Sequence, residues 1–190
     1  MSEARQLVRW TWETYLEWEA QQPIRYELVD GQVYAMGGGT NEHDTIGNNL
    51  RGELRERLRG KPCRPQGPDL KVRAGRDGRY PDAIIDCGRR VPDAIHAQEP
   101  VAVFEALPRS APWIDQFLKL RAYDATPSIH TYALINQDEP RAMVYRRDEN
   151  GWLGIQNAQL VEGTGASIEI PELELVLPFS ALYEGLEYPV

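Results

Sequence analysis

At 190 residues the chain is long enough to bury a real core and short for two domains, so a single domain over 1–190 is expected. Hydrophobic residues at 42% and charged residues at 26% exclude a disordered or fibrous chain. The net charge of -8 excludes a uniformly basic polyanion-binding surface.

Thr11 suits the N-cap of a helix through about Gln21, with Trp12, Tyr15, Leu16 and Glu19 at helical spacing. Tyr26–Val29 and Gln32–Ala35 flank Asp30-Gly31, the strongest short hairpin signal in the chain. Gly37-Gly38-Gly39 lacks the Gly-Lys-Ser/Thr of a phosphate loop and reads as a connector. Asn41 can cap a second helix to about Arg59, in which Ile46, Leu50, Leu54 and Leu58 form the apolar stripe. Arg51, Arg55 and Arg59, four apart, share another face. Pro62 ends that helix, and short strands follow at 69–73, 81–87 and 101–107. Pro112 opens a helix to about Ala125, and 129–136, 141–147 and 152–156 have strand character. The fold class is therefore α/β or α+β, a central mixed sheet with helices packed on it.

No run approaches the roughly 18 apolar residues that span a bilayer. The opening ten residues lack the apolar segment of a secretory leader, so a cytoplasmic protein with no membrane partner is expected. Cys63 and Cys87 have no metal-ligand spacing, and neither a disulfide framework nor a zinc site is indicated.

Chemistry concentrates in Tyr80-Pro-Asp-Ala-Ile-Ile-Asp86 and Val101-Ala-Val-Phe-Glu-Ala-Leu107. Each places a carboxylate in an apolar strand, which is costly unless the charge is paired, faces water or binds a cation. Joined as a hairpin by the loop 88–99, the two strands would set Asp82 beside Glu105. That pair suits Mg²⁺ or Mn²⁺, which takes one or two carboxylates and completes its shell with water and phosphate oxygens. Of the Pro-Asp pairs at 68–69, 81–82 and 92–93, the middle one alone runs straight into a buried strand. The solvated strand end is the competing interpretation. Asp115, Lys119 and Tyr123 lie on one helical face, so Lys119 can reach the same pocket or simply pair with Asp115 on the surface.

The order Arg25-Tyr-Glu-Leu-Val-Asp-Gly31, His43 at a helix start, Pro81-Asp82, Glu105, then Asp115-x-x-x-Lys119-x-x-x-Tyr123 resembles a large bacterial restriction endonuclease family of the PD-(D/E)XK nuclease superfamily. The resemblance runs over roughly residues 10–180. It implies a restriction-endonuclease-like core, DNA as substrate, and Mg²⁺ or Mn²⁺ at Asp82 and Glu105. Lys119 matches a catalytic lysine carried on the helix, Glu27 an acidic position near the same site, and His43 a residue that touches phosphate or assists proton transfer. The segment after Glu105 departs from the family pattern, reading Ala106-Leu-Pro-Arg-Ser-Ala111, with Arg109 an added cation and Ser110 the remnant of the usual turn.

Residues 51–90 hold 12 Lys and Arg against 6 Asp and Glu, whereas no Lys or Arg occurs from Asp148 to Val190. Arg51, Arg55 and Arg59 are thus the candidate DNA contacts, since phosphate contacts dominate non-specific affinity. Two other readings stand beside a nuclease: a catalytically decayed nucleic-acid- or protein-binding module on the same fold, and an acidic mimic of nucleic acid that binds a basic protein. Strand edges and Trp10, Trp12 and Trp18 make a homodimer a further expectation.

Overall fold

In the computed structural model, residues 9–108 and 111–188 are described; Arg109, Ser110 and the first eight residues of the leader reading lie outside them. Helix α1 (Trp12–Glu19) starts at Thr11, whose hydroxyl accepts from the Thr14 N–H while the Thr14 side chain answers the Thr11 N–H. Strands β1 (Tyr26–Val29) and β2 (Gln32–Ala35) form the expected hairpin. Asp30 and Gly31 both have positive φ, 45° and 79°, as its two-residue connection requires. Helix α2 (Asn41–Arg57) is capped by Thr40 rather than Asn41, because the Thr40 hydroxyl reaches the His43 N–H at 3.2 Å.

Three short strands follow: β3 (Arg64–Gln66), β4 (Val72–Ala74) and β5 (Asp77–Arg79). Then come β6 (Ala83–Asp86), β7 (Pro100–Leu107) and α3 (Trp113–Asp124). The remaining elements are β8 (Thr131–Asn136), β9 (Arg141–Arg147), β10 (Leu153–Glu162), β11 (Ser167–Ile170), β12 (Leu175–Pro178) and the short α4 (Phe179–Leu182).

The central sheet has the order β10-β9-β8-β7-β6-β3 and is mixed. Only β7 and β8 run parallel, because α3 carries the chain back across the sheet between them. A second sheet, β2-β1-β5-β4, packs against α1, and β11 pairs with β12.

Side chains alternate across the central sheet, so each strand serves two cores. Ala83, Ile85, Ala102, Phe104 and Ala106 face α2 and α4, meeting Ile46, Leu50, Leu54, Phe179 and Leu182. Ile84, Val103, Tyr132 and Leu134 face α3, meeting Leu120 and Tyr123. Burying a leucine such as Leu54 contributes about 1.5–3 kcal/mol relative to leaving it exposed. Trp12 is buried with Tyr15 and Leu28, Trp10 packs against that cluster, and Trp18 lies beside Trp10 and Tyr26 with ring centroids 5.1 and 4.7 Å away. Among the described residues no helix is long and apolar enough to cross a membrane.

Cys63 and Cys87 form a disulfide, contrary to expectation. The reason is register: Arg64 lies opposite Asp86 in the β3–β6 pair, so the next residues outward, Cys63 and Cys87, also face each other. A separation of 24 residues carries no trace of that neighbourhood.

Candidate active site

Asp82 lies one residue before β6. Ala83 pairs with Phe104, so the antiparallel register sets Asp82 opposite Glu105. Both stand two residues along from Ile84 and Val103 and emerge on the α3 side of the sheet. One Asp82 carboxylate oxygen accepts the Ala106 N–H at 2.8 Å, which ties the loop before β6 to β7. The Asp82 carbonyl accepts from Arg51 Nη1 at 3.0 Å.

Glu105 is 3% exposed, deep enough that its charge needs partners. Helix α3 supplies two. The Lys119 ammonium donates to Oε2, and the Tyr123 hydroxyl donates to Oε1 at 3.0 Å. Their i, i+4 spacing puts both on one face of the helix. Asp115, one further turn back, stands 3.6 Å from Lys119. Burial works against the charged ammonium, but the Glu105 and Glu27 carboxylates outweigh it, and the Lys119 pKa is raised. Burial pushes the Glu105 carboxyl up; Lys119 opposes this, while Glu27 and Asp82 add to it.

His43 occupies the first turn of α2, at the rim. Its Nε2 lies 3.1 Å from the Asp82 carboxylate, and that hydrogen bond is the main cause of its raised pKa. Gly39 makes room for the ring: a Cβ there would lie 2.5 Å from His43 Nδ1. The connector glycines thus form a wall of the cleft, which no substituted residue at 39 could line without moving His43.

Glu27 stands on β1 of the other sheet. Its Oε1 accepts the Tyr80 N–H at 3.0 Å, and Oε2 meets Arg79 Nη1 at 3.3 Å. Arg79, 1% exposed, also holds Asp77 at 3.0 Å, and Asp77 in turn accepts the Asp30 N–H at 2.9 Å. This chain fastens the small sheet to the approach to Asp82. Arg79 escaped sequence reasoning because β5, Asp77-Gly-Arg79, has no apolar alternation; its place three residues before Asp82 was the only available signal.

Together Glu27, His43, Asp82, Glu105 and Lys119 line an open cleft of about 660 Å³, with Gly37–Gly39, Tyr80 and Gln137 on its walls. Arg51 reaches this region only from behind, through the Asp82 carbonyl and the Asn48 side chain. Arg55 and Arg59 lie elsewhere, lining a separate groove. Of the other Pro-Asp dipeptides, Asp69 pairs with Arg25 at the surface.

Among the described residues, no three Asp, Glu, His or Cys side chains form a self-sufficient ion cage. The facing Asp82 and Glu105 carboxylates are nevertheless hard oxygen donors in the number Mg²⁺ uses when water and phosphate complete its shell. Burial raises the Glu105 pKa, Glu27 and Asp82 add to that rise, and a divalent cation beside these carboxylates would offset their charge. The residues present therefore fit such an ion.

Residues 12–180 match a family model described as Uma2, putative restriction endonuclease. The chain is 31% identical over 182 residues to an uncharacterized protein of Synechocystis sp., spanning 93% of this chain and 92% of that one. It also resembles the crystal structure of a putative nuclease belonging to DUF820 from Anabaena variabilis, with a TM-score of 0.72 and 16% identity. That likeness covers 91% of this chain and 97% of the other and is one of fold.

Proposed function

This chain belongs to the Uma2 family, described as putative restriction endonuclease, and from its cleft we propose a metal-dependent endonuclease of the PD-(D/E)XK type that hydrolyses DNA phosphodiester bonds. The observation that carries this reading is the meeting of Asp82 and Glu105 from adjacent strands at the floor of an open cleft, with Lys119 on Glu105. Asp82 and Glu105 are the residues that would hold Mg²⁺ or Mn²⁺. Such an ion, when bound, polarises a phosphate oxygen and offsets charge developing in the displacement.

The chain's own groups divide the remaining work. Lys119, kept charged by Glu105, cannot take a proton from water and acts electrostatically, steadying the phosphate as charge builds. Tyr123 fixes the Glu105 carboxylate by its hydroxyl. His43, whose protonated form is favoured by Asp82, donates a hydrogen bond to a phosphate oxygen or a proton to the departing alkoxide. Glu27 holds the Tyr80 backbone and so orders the wall next to Asp82.

Calorimetric titration of Mn²⁺ and Mg²⁺ into wild type and Asp82→Asn, with supercoiled plasmid in a parallel assay, tests the reading. Ion binding and ion-dependent nicking, both lost in the variant, are the expected result. An ion-independent protein that retains DNA without nicking it is instead a binding module on this fold.

A further inference from the structure

At the far end of α2 from the cleft lies a second groove of about 660 Å³, lined by Arg55, Arg59, Lys61, Arg64 and Arg90 with no acidic residue among its walls. Three of these cations have partners. Arg59 pairs with Glu56 at 2.6 Å, Arg64 with Asp86 at 2.6 Å, and the Lys61 ammonium reaches the Leu173 carbonyl at 3.5 Å. Arg55 and Arg90 are exposed and make no ion pair among the described residues. The Cys63–Cys87 disulfide joins the segment after α2 to the end of β6, from which the chain runs on to Arg90. Arg55 and Arg90 thus add positive charge without an ion-pair partner beside the paired Arg59 and Arg64, and that arrangement is favoured when a polyanion is present.

Helix α2 runs from the cleft, which His43 lines, to the groove, which Arg55 lines. On α2, His43, Gly47, Arg51 and Arg55 recur every four residues, a row that turns only about 40° per step around the helix. The buried row Ile46, Leu50, Leu54 and Leu58 has the same spacing and turns with it. The basic row therefore stays beside the seam where α2 meets the sheet, from the Asp82 carbonyl at Arg51 to the groove at Arg55. From His43 to Arg55 is about 18 Å along the helix, or about 5 base pairs of duplex at 3.4 Å each.

We propose that this groove is a second phosphate-binding site, which grips the backbone of a DNA duplex about 5 base pairs from the bond held in the cleft. The proposal rests on the nuclease reading for its ligand and adds to it a footprint. Arg55 and Arg90 contact phosphate, Arg64 is the fixed charge behind them, and binding extends well past the scissile bond.

The test measures fluorescence anisotropy of capped DNA duplexes of about 3 and about 16 base pairs, in chelator so that no cleavage intervenes. Arg55→Gln combined with Arg90→Gln should weaken the long duplex on the order of 10-fold and lower the slope of log K against log salt by about 1.8, at about 0.9 per lost phosphate contact. The short duplex should change less than about twofold, and a charge-matched Arg73→Gln with Arg121→Gln control should leave both unchanged. Equal losses for both lengths, an equal loss in the control, or no preference of wild type for the long duplex would overturn the proposal. Should the double variant fail to fold, Arg90→Gln alone should lower the slope by about 0.9. Plasmid nicking is read separately. Nicking with an unchanged slope removes the groove and keeps the nuclease; a reduced slope without nicking keeps the groove and removes hydrolysis.

Discussion

Two glutamate–lysine–tyrosine clusters lie in this molecule, and they are not equivalent. In the small-sheet region, Glu19 accepts from the Tyr80 hydroxyl at 2.8 Å, the Tyr26 N–H at 3.1 Å and the Lys71 ammonium at 2.8 Å. In the cleft, Glu105 accepts from Tyr123 and Lys119. Burial opposes the charge of both carboxylates. For Glu19 the donors Lys71, Tyr26 and Tyr80 overcome it and the pKa falls. For Glu105 burial is the largest influence and Lys119 does not overcome it; Glu27 and Asp82 add to the effect, and the pKa rises. The same residue types thus give a carboxylate whose pKa falls in one place and one whose pKa rises in the other, the latter at the proposed cation site. What separates them is the deeper burial of Glu105 and, after it, the company of further carboxylates.

The largest effect should come from breaking the Glu19 cluster. Glu19→Ala leaves Lys71 buried without its partner and should cost about 3–5 kcal/mol in urea unfolding. A loss below about 1 kcal/mol would show that the cluster is not structural. Glu105→Gln should be milder. It strips Lys119 of its main partner but leaves Asp115 beside the ammonium and removes one of three neighbouring negative charges, so its stability cost should be about 1.5–3 kcal/mol. Ion affinity by calorimetry should fall on the order of 100-fold or more, at least the loss expected for an outer-shell partner.

Removing the hydroxyls sharpens the contrast. Tyr80→Phe and Tyr123→Phe each delete one bond to a carboxylate and should each cost about 1.5 kcal/mol of stability. Only Tyr123→Phe should also weaken ion binding, by about 10-fold; equal weakening in both would dissolve the distinction between the clusters.

The smallest effect is a pH dependence. The folded pKa of Glu19 lies below its unfolded value, so the folded state binds that proton less readily. Its stabilisation is complete above the unfolded value, near pH ~4.3, and is lost as pH falls through the lower folded value. Wild type should therefore lose stability more steeply than Glu19→Gln on acidification through that range. Parallel unfolding curves for the two proteins would contradict the assignment.

Much of the scaffold was legible because it is local. The Asp30-Gly31 turn, the Ile46–Leu58 stripe and the apolar strands around Asp82 and Glu105 each carry their own periodicity. The i, i+4 spacing of Lys119 and Tyr123 put both on one helical face before any packing was known. Strands β3 and β5 were missed because Arg64-Pro-Gln66 and Asp77-Gly-Arg79 have no alternation, and their pairing comes wholly from neighbouring strands. Glu19 had helical spacing with Trp12 and Tyr15, but nothing marked Lys71, 52 positions away, as its partner.

By itself the sequence determined the turns, the amphipathic faces and the chemical types available, since these depend on neighbours within one helical turn or one strand pleat. Tertiary structure alone decided which charges meet. It set Cys63 against Cys87, buried Arg79 between Glu27 and Asp77, and separated Arg51 from Arg55 and Arg59 in use. A charge's cost depends on burial and on every partner within a few ångströms, and those partners come from elements remote in the chain.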